Sequence, residues 1–168
     1  DGAQAGNPHH WWLKLSSGKA PALPDECAVI SRRAFTAKDA RAESVGLLPV
    51  ILQVVQNNYT KGFRSFCFDI EDNCFFAEYR ESDEVYRFAV GFDKAAVTEL
   101  SFHGEPYVVG VKGRFSADED GREVLILKID FLETPCTRTI KLFYGGDNPE
   151  LRQSEQPGKN FVMKYMAT

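Results

Sequence analysis

The stretch from Arg122 to Tyr144, REVLILKIDFLETPCTRTIKLFY, limits what this chain can fold into more than any other. Leu125, Leu127, Ile129 and Phe131 fall on one face of an alternating segment, with Glu123 in register at its open end. Val124, Ile126, Lys128 and Asp130 take the other face. Ile140, Leu142 and Tyr144 repeat the alternation, and Arg138, Thr139 and Lys141 mark its expected wet positions. A period of two is the signature of a strand with one face in a core. Glu133, Thr134 and Pro135 interrupt the ladder, because proline has no N–H to donate. Two long strands joined by a short turn are expected here.

The same period runs through the sequence from Phe63 onward. Phe66, Phe68 and Ile70 lead to a turn at Glu71-Asp72-Asn73, and Phe75, Ala77 and Tyr79 follow. Tyr86, Phe88, Val90 and Phe92, then Leu100 and Phe102, then Tyr107, Val109, Val111 and Phe115 continue it, with turns at Asp93-Lys94, His103-Gly104 and Asp118–Gly121. About eight short strands joined by tight turns make an antiparallel up-and-down meander, and a meander hides its edges by closing into a barrel or half-barrel. The fold class is therefore mainly β.

One helix is expected, at about 47–59. Leu48, Ile51, Leu52, Val55 and Tyr59 lie at helical spacing with Gln53, Gln56 and Asn57 opposite. Pro49 suits the first turn and Gly62 the C-terminal end. Its apolar stripe needs a partner, so it should pack on the sheet or plug an open end. Residues 1–45 read as an arm or connector with a short strand near Cys27–Ile30 and a polar run, Thr36 to Glu43, that is a connector or short helix. Residues 46–168 read as the helix plus the barrel-like domain. The chain starts at Asp1 and nothing there resembles a targeting segment, so a piece of a longer protein is expected.

Function classes narrow by what is missing. Twenty basic against twenty-four acidic residues give a net charge of −4, with no basic run, which argues against nucleic acid. The longest apolar run, Val45 to Val55, is broken by Gly46, Pro49 and Gln53 and is too short to span a bilayer, so no membrane is expected as a partner. Cys27, Cys67, Cys74 and Cys136 lack zinc-site spacing; Cys67 and Cys74 are candidates for a disulfide within one hairpin, and the plainer reading is buried free thiols in a reducing, cytoplasmic setting.

No residue is assigned a catalytic, cofactor-binding or metal-binding role. Ser16-Ser17-Gly18-Lys19 fits the Ser-x-x-Lys nucleophile pattern, but it sits in a Gly/Pro/Ala-rich stretch with no helical stripe and no companion motif. His9, His10, Trp11 and Trp12 supply too few ligands for a metal and read as an aromatic contact patch, toward the domain body, a neighbouring domain or a ligand. His103 stands alone at a turn. Asp118-Glu119-Asp120-Gly121 lacks a calcium loop's twelfth ligand, and Glu78, Glu99, Glu123 and Asp130 are what the wet face of a sheet looks like. Asn58-Tyr59-Thr60 is a chance glycosylation sequon.

LPVILQVVQNNYTKG (48–62), HGEPYVVGVKGRF (103–115), LKIDFLETPCTRTIKLFY (127–144) and SEQPG (154–158) together resemble the C-terminal, non-catalytic β-domain of bacterial serine beta-lactamase-related hydrolases, the penicillin-binding-protein-like family. The resemblance covers roughly 45–160. It implies a lipocalin-like barrel or half-barrel that borders the active site of a catalytic domain carrying the family's serine and lysine, a domain this chain does not contain. No catalytic residue carries over, and the chain alone is expected not to be an enzyme. The alternative is a free-standing barrel that holds a small apolar ligand among its many Phe and Tyr side chains.

Overall fold

The computed structural model describes residues 21–37, 45–157 and 163–166, the last four by backbone alone. The fold is mainly β: ten antiparallel strands in two sheets, with two short helices among the described residues. The first sheet runs β1 (Ala34–Thr36), β2 (Phe63–Glu71), β3 (Cys74–Glu81) and β4 (Val85–Val90), each beside its successor. The second holds β5 (Ala96–Phe102), β6 (Glu105–Ala117), β7 (Glu123–Phe131), β8 (Thr137–Phe143), β9 (Glu150–Gln156) and β10 (Met163–Met166), again in chain order. The expected meander is present, but the barrel is not closed. Between β4 and β5 the ladder gives way to a single bridge, Gly91 to Lys112. A side chain on Gly113 would run into Val90 and Phe92 there, so the two sheets meet over a bare backbone.

Turn chemistry fixes the register. Asp72 (φ 48°) and Asn73 (φ 59°) form a two-residue turn between Glu71 and Cys74, and His103 (φ 49°) and Gly104 (φ 88°) do the same between Phe102 and Glu105. Both central residues having positive φ matches the right-handed strand twist. That register opposes Cys67 to Glu78 and Cys74 to Glu71, so the two thiols are not cross-strand neighbours; all four cysteines are free. Cys27 and Cys136 are buried, Cys67 is half-buried and Cys74 is exposed.

The core lies between the sheets. Leu125, Leu127, Ile129 and Phe131 face it as the alternation predicts. Aromatic rings touch in an unbroken series from one sheet to the other: Phe35 to Phe68 (6.1 Å), Phe68 to Phe75 (5.4 Å), Phe75 to Phe92 (5.7 Å), Phe92 to Phe115 (5.4 Å) and Phe115 to Tyr144 (6.1 Å). Edge-to-face and offset contacts at these spacings add to the burial.

Three expectations are corrected. The segment around Cys27–Ile30 is helix α1 (Glu26–Ile30), not a strand; Cys27 and Ile30 are one turn apart and both fully buried. Burial raises the Cys27 thiol to about 12. The short strand of that region is β1 instead, with Phe35 in the core, so α1 and β1 belong to the body. Arg138, expected wet, shares the inward face with Ile140 and Leu142. The third concerns the helix.

Candidate functional site

The expected helix is α2 (Val50–Gln56), shorter than its apolar pattern and turned around. Pro49 is its N-cap residue and Asn57, in the left-handed region (φ 51°), ends it, so Gly62 is not the cap. Asparagine tolerates that conformation because its short side chain is cheap there. Of the stripe expected to pack inward, Ile51, Val55 and Tyr59 face solvent, Val55 at 75%, and Val50 and Val54 are exposed beside them. Leu48 alone of the predicted stripe is fully inside, just before the helix, and Leu52 is half-buried against the core.

From the polar side it is Gln53 that is seated, while Gln56 and Asn57 are exposed. Gln53 is buried, donating to the Leu48 carbonyl (2.7 Å) and accepting from the Thr60 N–H (3.1 Å). Gln56 accepts the Tyr107 hydroxyl. Asn58 donates through Nδ2 to the Phe102 carbonyl (2.8 Å), with its Oδ1 2.6 Å from His103 Nδ1. Both ends of the Asn58 amide are thus used inside the protein, which disqualifies the sequon as a sugar acceptor.

The loop leading into α2 is held between the sheets by side chains from both. Glu81, at the end of β3, accepts the Leu47 N–H (2.9 Å) and the Thr60 hydroxyl. Gly46 carries no side chain because Thr60 and the Glu81 carboxylate occupy that space. Arg138 on β8 donates to the carbonyls of Leu47 (3.3 Å) and Leu48 (3.2 Å), and pairs with Glu155 on β9 at 3.0 Å. Glu155 also accepts the Val50 N–H (3.0 Å). Tyr79 and Gln153 complete the clamp from opposite sheets, Gln153 donating to the Tyr79 hydroxyl at 2.9 Å. Burial lifts the Glu81 carboxyl above the usual range, against the pull of the Thr60 and Leu47 hydrogen bonds.

Two further clusters use their own charges up. His103 Nε2 lies 3.2 Å from Asp83, while the His103 N–H donates to Glu84 and Glu84 accepts the Tyr86 hydroxyl (2.6 Å). Both imidazole nitrogens are engaged, which leaves neither for a substrate; the group ties two turns to the end of α2. An open cleft of about 510 Å³ borders Arg122, Glu123, Gly145 and Asn148. Its arginine is already bound to Asp118 (2.7 Å) and Glu150 (3.3 Å).

His9, His10, Trp11, Trp12 and Ser16 to Lys19 lie outside the described residues. Glu78 and Asp130 sit on outer faces, where Glu78 pairs with Arg80 and Asp130 with Lys128. Glu123 keeps the register of Leu125 and Leu127 at the open end of β7, beside the cleft. Among the described residues no group of three or more His, Cys, Asp or Glu is placed to hold a metal ion, and no helix is long and apolar enough to cross a membrane. Sequence reasoning missed Glu81, Arg138, Gln153 and Glu155. For Arg138 the signal was its even spacing with Ile140 and Leu142.

Comparison of the chain with protein families, with curated proteins and with solved structures finds no match in any of the three.

Proposed function

We infer that this chain is an accessory, non-catalytic β-domain that packs on the catalytic domain of a bacterial serine hydrolase and borders its active site. The observation that carries the reading is α2 and the residues after it, where Val50, Ile51, Val54, Val55 and Tyr59 are presented outward. A contiguous apolar face of this kind belongs to a contact rather than to open solvent. The phrases at 48–62, 103–115, 127–144 and 154–158 name the partner class, and α2 is the first of them. A cytoplasmic setting goes with the reading, supported by four free cysteines.

The test begins with the gene. A Ser-x-x-Lys hydrolase domain encoded next to this chain is expected; its absence ends the reading. Where it is present, mixing the two domains should give a complex by size-exclusion chromatography, and Val54→Gln with Val55→Gln should weaken it at least tenfold. Assayed alone on a chromogenic ester or beta-lactam, the chain should show no turnover.

The second reading, a barrel for a small apolar ligand, has the buried aromatic interior in its favour and the unbroken ring contacts there against it. Native mass spectrometry of the purified chain would reveal a retained ligand.

A further inference from the structure

The outer face of the six-stranded sheet gathers cations that are far apart in sequence. Directly opposed residues on antiparallel strands share a face. Arg114 opposes Ile126, Ile126 opposes Lys141, and Lys141 opposes Arg152, a single row across β6, β7, β8 and β9. In the next row Lys112 opposes Lys128. Lys112, Arg114, Lys128 and Lys141 are exposed and Arg152 is half-buried. The guanidinium groups of Arg122 and Arg152 cover Phe143 at 4.5 and 4.6 Å beside this band.

Little neutralises it. Asp130 pairs with Lys128 (3.3 Å), and Glu150 is shared by Arg152 (2.5 Å) and Arg122 (3.3 Å). Lys112, Arg114 and Lys141 form no ion pair with any described residue. Neighbouring cations stand about 5 Å apart across strands and about 7 Å apart along them. The Debye length at physiological salt is about 8 Å, so a partner at this face meets its local charge and not the chain's net −4.

We propose that this face docks on an anionic phospholipid surface. The partner must satisfy several flexible, solvated cations at once across the open face of a sheet. Mobile headgroups meet that demand with no fixed spacing to match. A nucleic acid finds neither a helix to enter a groove nor a bare ring to stack on, because Phe143 is buried under its two arginines. A folded acidic protein would meet a lysine-rich centre, whereas interface cores are depleted in lysine and built on aromatic anchors. At one rim Leu132 lies over Gly110, and both Leu132 and Val97 are exposed, so two aliphatic side chains are available to the headgroup boundary.

The inference rests on the six-stranded sheet and is independent of α2. Co-sedimentation with vesicles tests it, comparing phosphatidylcholine alone with the same lipid containing about a third phosphatidylserine. Binding to the anionic vesicles only, reversed by high salt, is expected. The triple variant Lys112→Glu, Lys128→Glu, Lys141→Glu should bind at least roughly a hundredfold more weakly, each cation being worth about fivefold. These side chains point to solvent, so an unchanged thermal melt is expected to separate lost binding from lost folding. No sedimentation, equal binding to neutral vesicles, or undiminished binding by the triple variant would each overturn the proposal. So would competition in which duplex DNA or polyglutamate displaces the vesicles at equal charge. Val54→Gln with Val55→Gln should leave vesicle binding intact; its loss in that variant would assign the binding to α2 and reject the sheet face.

Discussion

Arg138 and Glu155 oppose each other on β8 and β9, 3.0 Å apart, with side chains only 3% and 5% exposed. The pair is bound into the fold from one side only: Arg138 holds the carbonyls of Leu47 and Leu48, and Glu155 holds the N–H of Val50. Two strands of one sheet thereby grip the backbone that leads into α2.

Removing Arg138 leaves the Glu155 charge buried and the Leu47 carbonyl without its donor, while the Leu48 carbonyl keeps only Gln53. Arg138→Met is expected to lower stability by about 3–5 kcal/mol. Adding Glu155→Leu should recover a substantial part of that loss, because the uncompensated carboxylate goes with it. Urea denaturation of both variants measures this; a double variant as unstable as the single one would contradict the account.

The Glu81 carboxyl sits above the usual carboxylate range because burial opposes its charge. A carboxyl raised in the fold stabilises it while protonated. That contribution is complete below the ordinary value, about 4.3, and is lost as pH rises through the folded-state value. Glu81→Gln keeps an acceptor for the Leu47 N–H and removes the titration. The variant should therefore gain on the wild type as pH climbs through that window, then hold a constant difference. Parallel stability-versus-pH profiles would show that Glu81 does not titrate there.

Leu48 and Val55 belong to one predicted apolar stripe and should behave oppositely. Leu48→Ala empties a fully enclosed site and should cost about 2–5 kcal/mol. Val55→Gln changes an exposed helical position and should shift stability by less than roughly 0.5 kcal/mol. Denaturation midpoints of the two single variants distinguish an outward-facing α2 from an inward-facing one; a large loss at Val55 would place that side chain in the core.

The β2–β3 turn depends on positive φ at Asp72 and Asn73. Asn73→Val should destabilise the hairpin by about 1–2 kcal/mol, since a side chain branched at Cβ is strained in the left-handed region. Asn73→Gly, which completes an Asp-Gly turn, should be neutral or stabilising. Thermal melts of the two variants, moving in the same direction, would argue against the turn type.

The alternation in Phe63 to Tyr144 was enough to establish a mainly antiparallel β-fold, its turns at Asp72-Asn73, His103-Gly104 and Asp118–Gly121, and the core residues of β7. Those are local properties: a period of two and a two-residue turn need only neighbouring residues to be readable. The sequence also shows that α2 is amphipathic, yet its direction was decided elsewhere. Gln53 is buried because Leu48 and Thr60 bring backbone partners to it, and the helix is aimed by polar side chains from β3, β8 and β9 that hold the backbone leading into it, with Val55 left exposed. The cationic band is of the same kind. Lys112, Lys128, Lys141 and Arg152 form no basic run along the chain, and only the register of four strands lines them up. Sequence determines what each residue prefers; which partners arrive to satisfy or override that preference is set by strand pairing across the sheet, between residues a dozen or more positions apart.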